Sequence, residues 1–121
     1  MSVPYEYATL RVVPRAEREE SVNGGVLLYC RDRRYLAAAV ELDAVRVRAL
    51  DPAADVEGIR ALLTAIAGGC AEAADPGRHF GWLTAPRSTV VRPGPVHSGL
   101  TDDPAAELER LLTLLVRPLG C

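Results

Sequence analysis

The sequence predicts an α+β fold: a single two-layer domain over residues 1–121, with two helices on one face of a mostly antiparallel sheet of three to five strands. Three observations carry this reading. Alternating apolar patterns crowd into the first 42 residues and are joined by short connections, as in an antiparallel meander. Two later segments place apolar residues at helical spacing behind an Asp. Finally, 121 residues that are 49% hydrophobic and 25% charged suit one globular core and are too few for two.

The first strand is read over Tyr5 to Val13, where Ala8, Leu10 and Val12 alternate with Tyr7, Thr9 and Arg11. Pro14 ends it, and Arg15 to Val22 is charged and turn-like. Val26 to Cys30 is a continuous apolar run, the signature of a strand covered on both faces. Gly24 and Gly25 at its entrance suit a bulge or a close backbone approach. A polar turn over Arg31 to Arg34 leads to Tyr35 to Leu42, where Leu36, Ala38, Val40 and Leu42 share a face. Val45, Val47 and Ala49 then alternate with Arg46 and Arg48, a pattern open to a fourth strand or a short helical turn.

Asp55 is read as the cap of the first helix, with Glu57 at its positive end and Ile59, Leu62, Leu63, Ile66 and Cys70 on its apolar stripe. Gly68 and Gly69 weaken the last turn, and Asp75-Pro76-Gly77 closes the segment. Ser88 to Arg92 reads as a strand, after which Pro93 and Pro95 force an exposed or edge path. Asp103 caps the second helix with Pro104 in its first position, Leu108, Leu111, Leu112 and Leu115 form its stripe, and Pro118 ends it.

Composition excludes several classes of function. All fourteen cationic side chains are Arg and none is Lys, so no Schiff-base amine and no phosphate-loop lysine is present. The formal net charge of −2 gives no global field for nucleic acid, and the small basic turn Arg31, Arg33, Arg34 lacks interleaved aromatics, so nucleic acid is not an expected partner. Cys30, Cys70 and Cys121 are odd in number and far apart, which encodes neither a disulfide framework nor a zinc knuckle; Cys30 and Cys70 read as packing residues. His79 and His97 are too isolated for a metal site, and no cofactor is implied. The opening residues lack a signal peptide's charged and apolar regions, and no apolar run approaches the about 18 residues that span a bilayer; the expectation is a cytoplasmic protein with no membrane partner.

Chemistry concentrates between Arg78 and Leu100. Trp82, Thr84, Arg87, Ser88, Thr89, His97 and Ser98 are the candidate binding residues. Arg87 beside two hydroxyls, on a backbone stiffened by Pro86, offers a fork for a carboxylate or phosphate. His97-Ser98 does not amount to a hydrolase pair, because no nucleophile elbow is present and neighbouring positions do not establish that base and nucleophile face each other, so no residue is assigned a catalytic role.

Tyr7-Ala8-Thr9-Leu10-Arg11-Val12-Val13-Pro14, the Val22-Asn23 turn with Gly25-Val26, the Leu50-Asp51-Pro52 corner, and the long stretch from Trp82-Leu83-Thr84-Ala85-Pro86-Arg87-Ser88-Thr89 through His97-Ser98-Gly99-Leu100-Thr101-Asp102-Asp103-Pro104 together resemble the bacterial domain-of-unknown-function family 3037 (DUF3037). The chain departs from the family pattern at Gly24, where a branched apolar residue is usual, and is short between the first helix and Phe80. The resemblance implies a small bacterial accessory protein of a kind often encoded beside a protein resembling the HipA-like kinase fold, and carries no assigned activity. Two readings of function compete. The favoured one is a protein-binding module that docks on a partner, HipA-like by the resemblance, through the Trp82 to Ser98 surface. The alternative is a small enzyme or enzyme subunit that holds an anionic small molecule at Arg87, Ser88 and Thr89 with His97 as acid or base.

Overall fold

The computed structural model describes residues 1–119; Cys121, counted among the cysteines, lies outside them. Strand β1 (Val3–Val12) runs through the middle of one antiparallel sheet. On one side it pairs with β2 (Val22–Cys30), which pairs in turn with β3 (Tyr35–Val40). On its other side β1 pairs with two short strands in succession, β4 (Val91–Pro93) against Leu10 to Val12 and β5 (His97–Thr101) against Val3 to Tyr7. Four α-helices complete the α+β fold: α1 (Ala44–Leu50), α2 (Val56–Glu72), α3 (Pro76–Leu83) and α4 (Pro104–Leu115).

The expected two helices on one face are corrected to four helices on two faces. Val26, Leu27 and Leu28 are each 0% exposed, so consecutive residues of β2, which project to opposite sides, are both under cover. One core gathers Leu10, Val12, Leu27 and Leu36 beneath Val47 of α1, Ile59 and Leu63 of α2, and Phe80 and Leu83 of α3. The other gathers Tyr5, Val26, Leu28 and Cys30 beneath Leu108, Leu111 and Leu112 of α4.

Local chemistry explains the elements that the residue pattern left open or misplaced. The Val45 to Ala49 segment is helical because the Asp43 carboxylate accepts the backbone N–H groups of Val45 and Arg46 at 3.0 and 3.2 Å. Its alternation has no burial behind it, since Val47 is enclosed while Val45 is 77% exposed. Val22 and Asn23 belong to β2, so that strand starts four residues before the expected Val26 and the charged turn ends sooner. The register slips there: Leu10 faces Gly25 and Arg11 faces Asn23, leaving Gly24 as a bulged residue. A Cβ on Gly24 would lie 2.9 Å from Val12 Cγ2 and 3.1 Å from Leu63 Cδ1, so the bulge admits α2 close to the strand.

The strand read over Ser88 to Arg92 is also displaced. Ser88 and Thr89 lie in the preceding loop and β4 begins at Val91, while β5 takes up His97 to Thr101 as an exposed edge strand, within the exposed or edge path expected there. Gly94 stays attached between the two strands by donating its N–H to the Thr9 carbonyl at 2.8 Å. The two prolines thus break one edge strand into two without removing it from the sheet.

Helix α4 is fastened to β1 by a polar contact as well as by its leucines. Asp103 caps it by accepting Ala106 N–H at 3.2 Å, and Pro104 opens the first turn. Tyr5 donates its hydroxyl to Glu107 Oε2, while Arg110 grips both Glu107 oxygens from Nε and Nη2 at 2.8 Å each. Burial, then the Glu107 carboxylate, push the Tyr5 phenol up to about 12. Arg110 foremost, with help from Tyr5, holds the Glu107 carboxyl below its ordinary value. A carboxylate depressed in the folded state stabilises the fold above its unfolded pKa, and that contribution fades as pH falls through the folded value. Glu107→Gln is therefore expected to cost about 1 kcal/mol at neutral pH and to cost progressively less toward pH 3, read from urea midpoints across that range.

Candidate functional site

Helix α3 was not expected, because Asp75-Pro76-Gly77 reads equally as the close of a segment. It is a helix start: the Asp75 carboxylate accepts Arg78 N–H at 3.2 Å, and Pro76 occupies the first turn. A Cβ on Gly77 would lie 2.7 Å from the Tyr29 hydroxyl, so the first turn closes tightly on β2. Phe80 and Leu83 face the core, and the Phe80 ring stacks on Tyr29 with centroids 5.4 Å apart.

The outward side of α3 carries His79 and Trp82, one turn apart and stacked at 5.8 Å. Trp82 is 62% exposed. Thr84 ends the helix, its backbone N–H bonding the Phe80 carbonyl at 3.0 Å and its hydroxyl donating to that same oxygen at 2.8 Å. Past Pro86, Arg87 lies with its guanidinium carbon 4.8 Å from the indole centroid. Its Nη2 donates to the Trp82 carbonyl and its Nε to the Ala85 carbonyl at 3.4 Å. The indole is therefore solvent-facing yet held by a ring on its own helix and a cation from the following loop. Beside it a recess of about 260 Å³ is lined by Ala73, Ala74, Asp75, Arg78, His79 and Trp82.

The candidate residues fall into separate places. Trp82, Thr84 and Arg87 come together at the C-terminal end of α3. Ser88 is exposed in the adjoining loop, and Thr89 there donates its hydroxyl to the Val91 carbonyl at 2.7 Å. Two donors of the Arg87 fork and the Thr89 hydroxyl are thus engaged by main-chain carbonyls. His97 is remote from this group in kind: it lies across from Tyr7 in the ladder and its ring packs on Tyr7 at 5.4 Å. Tyr7 packs against the α4 side of the sheet, whereas α3 covers the other.

Ser98, next along β5, projects opposite to His97 and lines a different recess with Pro4, Glu6, Tyr29 and Asp32. Side by side in sequence, His97 and Ser98 are placed on different faces, an arrangement that gives no base-to-nucleophile contact. Instead His97 joins Tyr7, Thr9, Arg11, Asn23 and Leu115 around a polar hollow of about 190 Å³.

His79 and Arg78 are the members of the α3 surface that the candidate list lacks. Their signal was legible as the spacing of His79 and Trp82, once Asp75-Pro76 is taken as a helix start. Cys70 is buried on α2 and burial pushes its thiol up to about 11, which keeps it protonated and unreactive near neutrality. Cys30 donates weakly to the Pro4 carbonyl at 3.5 Å. Among the described residues no group of three or more His, Cys, Asp or Glu is placed to hold a metal ion, and no helix is long and apolar enough to cross a membrane.

A family model described as protein of unknown function (DUF3037) matches residues 7–116, nearly the whole chain. Comparison with curated proteins and with solved structures gives no match.

The placement of α3 separates two aromatic substitutions that sequence alone cannot. Phe80→Ala is expected to lower unfolding free energy by about 3–5 kcal/mol, whereas Trp82→Ala should cost under about 1 kcal/mol, as measured by chemical denaturation followed by far-ultraviolet circular dichroism.

Proposed function

The chain belongs to the DUF3037 family, and we propose that it serves as a non-catalytic docking module of a bacterial cytoplasmic complex. The observation that carries the reading is Trp82: a large aromatic left in solvent, with the His79 ring stacked on it and the Arg87 guanidinium over it. Tryptophan and arginine are the side chains that most often supply the central energy of protein interfaces. Fixing them before contact reduces the ordering entropy that binding costs.

The chemistry of the surface describes its partner. An apolar notch would take the indole, and carboxylates around it would face Arg78 and Arg87. The proposed partner is the HipA-like kinase-fold protein implied by the family resemblance. The α3 surface suits recognition better than turnover, because its loop donors are committed to main-chain carbonyls and its one nearby imidazole stacks on the indole.

The chain contains one Trp, so its fluorescence reports this surface alone. Tagged protein recovered from the native host should bring down a stoichiometric partner, and Trp82→Ala or Arg87→Ala should reduce that yield by about tenfold or more while circular dichroism stays unchanged. With purified partner, the indole emission should shift to the blue as water is excluded. Equal recovery by wild type and both folded variants would remove the reading, as would a wild type that elutes alone.

A further inference from the structure

The α4 side of the sheet holds a second concentration of polar chemistry, separate from the α3 surface. Tyr7, Thr9 and Arg11 alternate along β1 and so share that face. The register extends the patch sideways: Arg11 lies between Asn23 of β2 and Arg92 of β4, and Tyr7 lies beside His97 of β5. Helix α4 ends at Leu115, which forms one wall of the hollow that Tyr7, Thr9, Arg11, Asn23 and His97 surround.

Charge in this patch is not balanced from within. Arg11 and Arg92 sit directly opposite each other in the ladder, a pairing of like charges that destabilises a sheet. Among the described residues neither meets a carboxylate. Arg92 donates its Nε to the Thr89 carbonyl at 2.8 Å, whereas Arg11 and the hydroxyls of Tyr7 and Thr9 have no hydrogen-bond partner among the described residues. The carbonyls at the nearby end of α4 are already satisfied: Asn23 donates to that of Leu115 at 3.0 Å, and Arg46 to that of Val116 at 3.0 Å.

Gly94 keeps the patch open. Its φ lies outside the left-handed region, so its backbone does not call for glycine, yet a Cβ there would fall 2.5 Å from Thr9 Oγ1 and 3.3 Å from Arg11 Nε. What the position supplies is space, at the point where a hydroxyl and a guanidinium converge. We propose that this hollow is an anion site that takes the phosphoryl group of a small phosphate monoester. The Arg11 fork suits two of the terminal oxygens, with the Thr9 and Tyr7 hydroxyls and a His97 ring nitrogen around the third. Two guanidinium charges match a phosphate dianion, whereas a carboxylate brings only one charge. At about 190 Å³ the hollow is smaller than the roughly 300–1,000 Å³ sites of drug-sized ligands, which limits the ester to a short stub.

Calorimetric titration of the intact chain with methyl phosphate at about pH 8, where the probe is a dianion, tests this. Wild type is expected to bind one equivalent with a dissociation constant of about 1 mM or tighter, and to bind acetate at least about tenfold more weakly. Arg11→Gln and Gly94→Ala should each weaken methyl phosphate at least about tenfold with unchanged circular dichroism, and Arg92→Gln about threefold. Arg48→Gln, which removes the same charge from an exposed position on α1, should leave binding as it is. Should Gly94→Ala fail to fold, Arg11→Gln decides. Wild type that binds no methyl phosphate up to about 10 mM overturns the proposal, as does acetate bound equally well, binding indifferent to the folded Arg11 variant, or equal weakening by Arg48→Gln.

Discussion

Everything in this fold answers to the double burial of β2. A strand whose consecutive side chains are all enclosed needs apolar cover above and below, and neither cover can come from the sheet itself. Helices α1, α2 and α3 supply one layer and α4 the other. Once α4 is committed to the far face, the chain must cross from one side of the sheet to the other between α3 and α4. The strands β4 and β5 make that crossing along the outer edge of β1.

The crossing also sorts the polar chemistry. The cluster around Trp82 belongs to the α3 side, and the hollow around His97 and Tyr7 belongs to the α4 side. A continuous sheet, with its hydrogen-bonded ladders and packed faces, stands between them. Residues that lie close in sequence from Trp82 to Ser98 thus serve two surfaces. The binding reading needs only the first of these surfaces, which is a reason to prefer it over a reaction that requires both.

Much of the fold was legible in the residues, and the failures have specific causes. Asp103-Pro104 and Asp75-Pro76 use the same cap and first-turn proline, yet in the sequence one reads as a start and the other as a stop. The leucine stripe after Pro104 disambiguates the first, whereas α3 is eight residues long and offers only Phe80 and Leu83 to the core, too few to show a period. In β5, alternation is hidden because the strand is an exposed edge with polar residues and Gly99 on it, so burial leaves little trace. The opposite layer was announced by Val26 to Cys30, whose unbroken apolar run already demanded cover on both sides. Of the site residues, Trp82 and Arg87 could be named from type alone, but their contact depends on the turn at Thr84 and Ala85 and on Arg87 donating back to the Trp82 carbonyl, which spacing does not encode.

The placement of β4, β5 and α4 has a consequence for synthesis. The meander β1–β2–β3 is complete by Val40, yet the outer edge of β1 waits for Thr101 to reach Val3, and one face waits for the leucines of α4. Until β5 and α4 have left the ribosome, the nascent sheet has two open edges and an uncovered apolar surface. Such long-range closure slows folding and exposes sticky intermediates to other chains.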